Sequence, residues 1–171
     1  MMGLFTSKSF DNLEELFVCQ LHNIYDAEQR LTKALPKMAK EAHSPDLKQA
    51  FEHHLVETEG QIRRLEEIFQ LLGQDAKTET CDAMKGLISE GDEMISAKGD
   101  DAVKDAALIA AAQQVEHHEI AAYGTARTLA KQTGHDNVAA LLQASLDEES
   151  AADQKLTLIA TSQVNVQAKT R

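Results

Sequence analysis

Residues 106–126 read AALIAAAQQVEHHEIAAYGTA, a run that contains no lysine or arginine. Its apolar residues recur at steps of three and four, which predicts a helix with one buried face. That face consists of Leu108, Ala112, Val115, Glu119, Ala122, Ala126 and Leu129. Glu119 stands in the middle of the apolar residues, and Glu116 lies one turn before it. A buried acid with no basic residue in its own segment needs a counter-charge from elsewhere in the fold.

The same periodicity extends over most of the chain. It predicts long helices at about residues 9–42, 45–72, 101–133 and 136 to beyond 160, with a shorter helix within 74–99. Ser44 and Pro45 are typical of a helix start, and Gly73 and Gly134 are typical of helix ends. Pro36 should kink the first helix because proline has no N–H to donate. The buried face of that helix is Phe10, Leu13, Phe17, Leu21, Ile24, Glu28, Leu31, Leu35 and Met38.

Helices of this length bury their apolar faces only by packing together. The short first and third loops make the helices that they join antiparallel, and the long middle connection lets the second and third long helices run parallel. We therefore predict an all-α, ferritin-like four-helix bundle with a long crossover that carries the short extra helix. The prediction is one domain at 1–171, with its core at about 9–162 and a polar, frayed tail at 163–171.

The composition excludes several classes of function. The formal net charge of -11 repels phosphate backbones, so we expect no nucleic-acid partner. No stretch approaches the run of about 18 apolar residues that a membrane span needs, so we expect no membrane association. The first five residues do not resemble a signal peptide. Cys19 and Cys81 are isolated thiols, which fits a reducing compartment, and the expected location is the cytoplasm.

Glutamates interrupt the apolar faces of all four long helices at matching depths. Glu28 and Glu57 lie 29 residues apart, and Glu119 and Glu149 lie 30 residues apart. Each antiparallel pair of helices therefore brings two glutamates to the same height, and docking the pairs brings four together. His54 lies one turn before Glu57, close to the same face.

Two simple explanations of these glutamates are neutralisation by lysine or arginine and rotation of the helices toward water. Residues 106–126 offer no basic side chain, and Arg63 and Arg64 are predicted to point away from Glu57. Carboxylates together with an imidazole suit iron or manganese. We predict a site for two divalent metal ions, iron or manganese, with the ligands Glu28, His54, Glu57, Glu116, Glu119 and Glu149.

Neighbouring polar residues fall into two groups. Three are expected to be partly exposed rather than metal ligands: His53, His117 and His118. Four others stay open between ordinary packing and a hydrogen bond to a ligand carboxylate: Tyr25, Gln61, Tyr123 and Asp153.

Five stretches carry a family resemblance: residues 31–39, LTKALPKMA; 54–61, HLVETEGQ; 105–112, DAALIAAA; 115–124, VEHHEIAAYG; and 146–149, LDEE. Over about residues 9–162 the chain resembles the YciE/YciF family of ferritin-like bacterial proteins. The resemblance implies a ferritin-like homodimer that is linked to bacterial stress responses.

Ferritin-like di-iron proteins use a glutamate on the first and third helices and a Glu-x-x-His motif on the second and fourth. Similarity to them makes Glu57 and Glu149 bridging ligands and Glu28 and Glu119 terminal ligands. The chain departs from the pattern at both histidines, because Gly60 and Ala152 stand in their places. The substitutes that we expect are His54 and Glu116.

Two functions stay open on the sequence. One is a metal-binding stress protein with oxidase- or peroxidase-type activity, which would need an electron donor outside the chain because no CxxC pair is present. The other is a non-enzymatic bundle that assembles with itself or with partners, its metal structural or absent. Apolar crossover residues such as Met84, Leu87 and Ile88 would then supply the surface. Iron storage in a cage is a third, weaker alternative.

Overall fold

The structure, a computed structural model, describes residues 8–170, and within that range the chain is predominantly helical and has no β-strand. Its main elements are α1 (Leu13–Glu41), α2 (Pro45–Leu71), α3 (Asp82–Ser96), α4 (Asp101–Gln132) and α5 (Asp136–Ile159). A π-helical stretch, Ala160–Val164, continues α5 into the short helix α6 (Asn165–Ala168). The predicted all-α chain is confirmed. The first five residues, which do not resemble a signal peptide, lie outside the described range.

Bilayer crossing requires a helix that is both long and apolar, and none of the helices between residues 8 and 170 meets both requirements.

Polar caps and glycines set the ends of the helices. The Ser44 hydroxyl accepts a hydrogen bond from the Leu47 N–H, and Pro45 takes the first helical position, as predicted. Gly73 and Gly134 follow α2 and α4 with φ angles of 64° and 84°. Glycine adopts this left-handed conformation without the strain that a side chain would bring, so both helices end there.

Helix α1 begins later than the sequence pattern predicts. The predicted start is about residue 9, but Asn12 caps the helix by accepting a hydrogen bond from the Glu15 N–H, and α1 starts at Leu13. The Glu15 carboxylate accepts a hydrogen bond from the Asp11 N–H in return, which holds the preceding chain outside the helix. Phe10 and Leu13, predicted to be buried, are exposed.

The C-terminal segment is also better ordered than predicted. The prediction of a frayed tail after Ser162 is wrong, because helical structure continues to Ala168 and Val164 is buried. Gln163 donates a hydrogen bond of 2.6 Å to Asp46 at the start of α2. The end of the chain therefore packs on α4 and reaches α2 through this hydrogen bond.

The four long helices pack side by side, with α1 against α2 and α4, and α5 against the same two helices. Lys104 near the start of α4 pairs with Glu41 at the end of α1. His135, just beyond the end of α4, pairs with Glu14 at the start of α1. Helices α1 and α4 are therefore antiparallel.

Helix α2 likewise runs antiparallel to α5. Asp46 at the start of α2 meets Gln163, and Arg64 farther along α2 donates a hydrogen bond to Ser145 in the first half of α5. Short loops make α1 and α2 antiparallel, and α4 and α5 antiparallel. Helices α2 and α4 therefore run in the same direction, as the predicted crossover requires.

Helix α3 lies within the crossover and packs on α1 and α4. Met84 is fully buried, and Leu87 and Ile88 are partly buried against the same apolar cluster. Met84 therefore cannot supply a free surface for partners, whereas Leu87 and Ile88 keep part of their surface exposed. Their apolar side chains are used to cover the interior of this chain.

Two apolar clusters fill the interior, one toward each end of the long helices. On α1, residues 31–39 contribute to the first cluster and residues 17–25 to the second. On α4, residues 108–115 belong to the first cluster and residues 123–130 to the second. The middle of the interior, where Glu28 and Glu119 lie, is polar.

Candidate metal centre

Every long helix contributes buried polar side chains to this middle layer. The layer comprises Glu28 from α1, His54, Thr58 and Gln61 from α2, Glu116 and Glu119 from α4, and Ser145 and Glu149 from α5. Each of these residues is at most 4% exposed, so water can supply few of the hydrogen bonds that the protein does not provide. The apolar clusters on either side close the layer along the helix axes.

Four of the predicted ligands come together in the centre of the layer. His54, Glu116, Glu119 and Glu149 each offer a ligand atom, and these atoms lie within 4.8 Å of one another. His54 Nε2 is 3.5 Å from Glu116 Oε1 and 3.6 Å from Glu149 Oε2. One nitrogen and three carboxylates around a common point form a donor set that suits a divalent transition-metal ion.

Glu28 lies next to these four residues. Its carboxylate is fully buried, and its Oε1 accepts a hydrogen bond from the Tyr123 hydroxyl. Its Oε2 has no hydrogen-bond partner. The negative charge of Glu28 raises the pKa of Glu119, and the negative charge of Glu149 raises the pKa of Glu28.

Glu57 sits on the outer side of His54. Its side chain is 23% exposed, and its Oε2 accepts a hydrogen bond of 3.4 Å from His54 Nδ1. His53 Nδ1 lies 3.2 Å from the same oxygen. The structure thus places Glu57 where it orients the His54 ring and directs Nε2 toward the carboxylates.

The layer contains a concentration of buried atoms without hydrogen-bond partners. Those on possible ligands are Glu28 Oε2, His54 Nε2, Glu116 Oε2, both carboxylate oxygens of Glu119, and Glu149 Oε2, and the layer also holds the unpartnered Thr58 Oγ1 and Gln61 Oε1. An unpaired buried polar group costs about 1–3 kcal/mol, and more when it is charged. Natural folds keep such groups only where something pairs with them, and for acids grouped with an imidazole that partner is a proton or a metal cation.

The electrostatics of the metal-free layer favour protons on the acids. Burial and the nearby Glu149 carboxylate raise the pKa of Glu28 to about 8. Burial likewise holds the pKa values of Glu116 and Glu119 well above their usual range. Burial alone would lower the pKa of His54, but the Glu116 carboxylate, the hydrogen bond to Glu57 and the Glu149 carboxylate raise it to about 10.

Two neutral side chains hold the ligand carboxylates in position. The Gln61 amide donates hydrogen bonds to Glu149 and, at 3.1 Å, to Glu148. The Tyr123 hydroxyl donates to Glu28. Both residues stayed open in the sequence analysis, and the structure gives each of them a direct hydrogen bond to a predicted ligand.

The other two open residues do not contact the predicted ligands. The Tyr25 hydroxyl donates a hydrogen bond of 2.9 Å to Glu66. Asp153 accepts a hydrogen bond of 3.0 Å from Gln113. These contacts join neighbouring helices outside the polar layer.

Arg64 lies closer to the layer than its predicted orientation implied. Its guanidinium forms two hydrogen bonds of 2.9 Å with Glu148 and one of 2.7 Å with Ser145. Glu148, the neighbour of Glu149, therefore uses this positive charge. Within residues 8–170, no lysine or arginine forms an ion pair with Glu28, Glu116, Glu119 or Glu149.

The three histidines next to predicted ligands in the sequence, His53, His117 and His118, lie outside the cluster. His53 and His117 have side chains that are 61% and 70% exposed, in line with the expectation that they are partly exposed. His118 is half-buried, and its Nε2 lies 3.5 Å from Cys81 Sγ. This pair could not be predicted from the sequence, because the two residues lie 37 positions apart on different elements with no shared periodicity.

The raised pKa values predict that the metal-free protein loses stability as the pH rises. The ordinary pKa of Glu28 is 4.5 and its folded value is about 8, so its contribution is present below 4.5 and is lost as the pH rises through 8. The His54 contribution is present below 6.5 and is lost as the pH rises through about 10. Each group contributes a slope of about 1.4 kcal/mol per pH unit between its two pKa values.

The measurement is the free energy of unfolding of chelator-treated protein from pH 6 to pH 8.5. The Glu28→Gln variant should show a shallower slope, because it removes one of the titrations that make up this slope. A wild-type curve that is flat or rises with pH over this range would contradict the electrostatic description of the layer.

Comparisons with known proteins place the chain in a family. It is 46% identical over 160 residues to Protein YciF of Escherichia coli (strain K12), which covers 93% of this chain and 96% of YciF. The crystal structure of the E. coli stress protein YciF matches with a TM-score of 0.88 and 46% identity over 91% of this chain and 99% of that one. YcfI from Rhodopseudomonas palustris, described provisionally as a structural protein, matches with a TM-score of 0.85 and 46% identity over 90% and 98% of the two chains.

A more distant protein from Xanthomonas campestris pv. campestris shares the fold, with a TM-score of 0.74 at 22% identity over 92% of this chain and 97% of that one. The family model described as "Domain of unknown function (DUF892)" matches residues 12–169. The resemblance to the YciE/YciF proteins is thereby confirmed, and the chain belongs to the DUF892 family.

Proposed function

We propose that the chain is a ferritin-like four-helix bundle that binds two divalent metal ions, iron or manganese, and takes part in a bacterial stress response. The observation that carries the proposal is the group of buried, unpartnered ligand atoms on all four long helices. Four separate helices carry ligand atoms without hydrogen-bond partners at the same height. Cations placed among these atoms would satisfy them together. The stress role comes from the similarity to the E. coli stress protein YciF.

The charge of the layer favours two ions over one. Its acids, Glu28, Glu116, Glu119 and Glu149, carry four negative charges when ionised, and two divalent ions bring four positive charges. A single ion would leave most of the repulsion in a poorly solvated interior. The alternative source of positive charge, Arg64, is already paired with Glu148.

The ligand roles in this proposal follow the geometry. His54, Glu116, Glu119 and Glu149 surround the first ion, since their ligand atoms lie within 4.8 Å of one another. Glu28 extends the set on the α1 side through its unpartnered Oε2 and binds the second ion. The sequence suggested a bridging role for Glu57, and we assign it instead to the orientation of His54, whose Nδ1–H it accepts.

Iron or manganese bound here would supply the electron transfer that an oxidase- or peroxidase-type reaction needs, with an electron donor outside the chain. The chain's own residues prepare the site. Tyr123 and Gln61 hold Glu28 and Glu149 by hydrogen bonds, and the apolar clusters exclude water from both sides of the layer. We place this activity in the cytoplasm.

Removal of Glu119 should have opposite effects in the metal-free and metal-bound proteins. In metal-free protein, Glu119→Ala removes an acid that burial and the neighbouring Glu28, Glu149 and Glu116 carboxylates force to take up a proton on folding, and the removal of this cost offsets the loss of about 1–3 kcal/mol from the cavity. The metal-free variant should therefore be as stable as metal-free wild type, or more stable. With iron or manganese the variant should bind less metal and be less stable, because a ligand to the folded state raises stability by about 2.7 kcal/mol at a hundredfold excess over Kd.

The measurements are metal content by elemental analysis and thermal melts with chelator and with added metal. Glu59→Ala, a change at an exposed glutamate of α2, is the matched control and should behave as wild type. A structural ion pair predicts a loss of about 3–5 kcal/mol in Glu119→Ala under both conditions. That result, with unchanged metal content, would rule out the metal centre.

The description of the R. palustris relative as a structural protein favours a second function, in which the metal serves only to hold the helices together. Peroxide turnover separates the two functions. We expect the metal-loaded wild type and Glu59→Ala to consume hydrogen peroxide when a reductant is supplied, and we expect Glu119→Ala to lose this activity. Metal-dependent melting without any consumption of peroxide would favour the structural role.

We also propose that the protein is a homodimer. This proposal rests on the family resemblance alone, because Met84, first suggested for the interface, is fully buried and Leu87 and Ile88 are partly buried against the chain's own core. Sedimentation velocity at micromolar concentration should give the mass of two chains. A monomer, or a cage of many subunits, would contradict it.

A further inference from the structure

A cavity of about 330 Å³ opens beside the polar layer, between α1, the start of α3 and α4. Asn23 and Ala27 of α1 form one wall, and Cys81, at the N-terminal cap of α3, and His118 form another. Glu119, one of the four residues that surround the first proposed ion, also lines the cavity. The same carboxylate therefore belongs both to the cavity and to the candidate metal centre.

Cys81 and His118 stand at the spacing of two ligands on one metal ion. Their Sγ and Nε2 atoms lie 3.5 Å apart. Bonds of about 2.3 Å to sulfur and about 2.0 Å to nitrogen at a tetrahedral angle put the two donor atoms about 3.5 Å apart. The Cys81 position is fixed, because its N–H donates a hydrogen bond of 2.9 Å to the buried Asp26.

Glu119 connects this pair to the interior of the protein. Its carboxylate is 2% exposed, and neither oxygen has a hydrogen-bond partner. An ion in the cavity therefore meets an unsatisfied ligand on the side of the metal centre. Lys8, which also lines the cavity, does not oppose a cation with its full charge, since its ammonium group pairs with Glu79 at 2.8 Å.

We propose that this cavity is the route by which a divalent transition-metal ion reaches the metal centre, with Cys81 and His118 as transient ligands that pass the ion to Glu119. The inference rests on the proposed metal centre and adds the path that fills it. The thiol proton of Cys81 leaves to solvent when the ion binds and is regained when the ion moves on. Because two protein ligands hold an ion less firmly than an imidazole with several carboxylates, the transfer runs inward.

Cobalt(II) is a probe that reports both steps, because cobalt bound to a thiolate absorbs in the near ultraviolet and cobalt bound only by nitrogen and oxygen does not. Chelator-treated full-length protein is mixed with cobalt(II) under anaerobic conditions in a stopped-flow spectrophotometer. Wild type should show a near-ultraviolet band that rises and then decays as the ion reaches the carboxylates. The final cobalt content is measured separately by elemental analysis.

Cys81→Ser and His118→Gln should take up cobalt at least about tenfold more slowly, the size of effect that follows loss of a side chain that supports a metal site. Cys81→Ser should also lack the transient band, and both variants should reach the wild-type cobalt content. Serine at position 81 preserves the helix cap, so this variant should fold. Cys19→Ser and His117→Gln are matched controls that lie outside the cavity lining, and they should behave as wild type.

Uptake by Cys81→Ser and His118→Gln at the wild-type rate, with normal final cobalt content, would overturn the uptake route and leave the metal centre intact. A near-ultraviolet band that persists would also overturn it, because the ion would then stay on Cys81. Absence of cobalt from the carboxylate cluster in every protein, wild type included, would overturn the metal centre and the route together.

Discussion

The crowding of carboxylates in a dry interior is the constraint on which the rest of this structure depends. Glu28, Glu116, Glu119 and Glu149 lie between two apolar clusters, with His54 as the only imidazole among them. Coulomb repulsion is strong where water cannot screen it, so these groups cannot all be ionised without a positive counter-charge. Either protons or metal ions must supply this positive charge. In both cases the four long helices meet at the same polar layer.

This constraint explains features that apolar packing alone would not produce. A fully apolar seam would tolerate sliding of one helix along another by a turn, whereas the layer fixes the height of each helix through a particular residue. Tyr123 ties α4 to Glu28 of α1, and Gln61 ties α2 to Glu149 of α5. Hydrogen bonds of this kind would orient the predicted ligands for the proposed ions, as outer residues do in metal sites.

The sequence predicted the fold and most of the cluster because both follow from one periodicity. Glu28, Glu119 and Glu149 interrupt apolar faces, and their burial follows wherever those faces are buried. On α2 the periodicity was ambiguous. A buried face that contains His54 and Gln61 can include either Glu57 or Thr58, because both choices give helical steps of three and four residues. The structure buries Thr58 and leaves Glu57 partly exposed, a choice that depends on the rotation of α2 against α5. The Cys81–His118 contact lay beyond prediction for a related reason, since it depends on where the crossover docks.

The rotation of α2 also accounts for the missing histidine of the di-iron pattern. Glu57 and Gly60 are one turn apart on the same side of the helix, and Glu57 faces outward from His54. A Cβ added at Gly60 would meet only the end of the Arg63 side chain, at 3.9 Å. A histidine at position 60 would thus stand near Arg63 rather than in the cluster, and the inward imidazole comes from His54 instead. The result is an uneven site in which α1 and α2 supply Glu28 and His54 while α4 and α5 supply three carboxylates. In the proposed metal centre, this excess of oxygen donors on one side would favour harder divalent ions such as iron and manganese over metals that prefer nitrogen or sulfur.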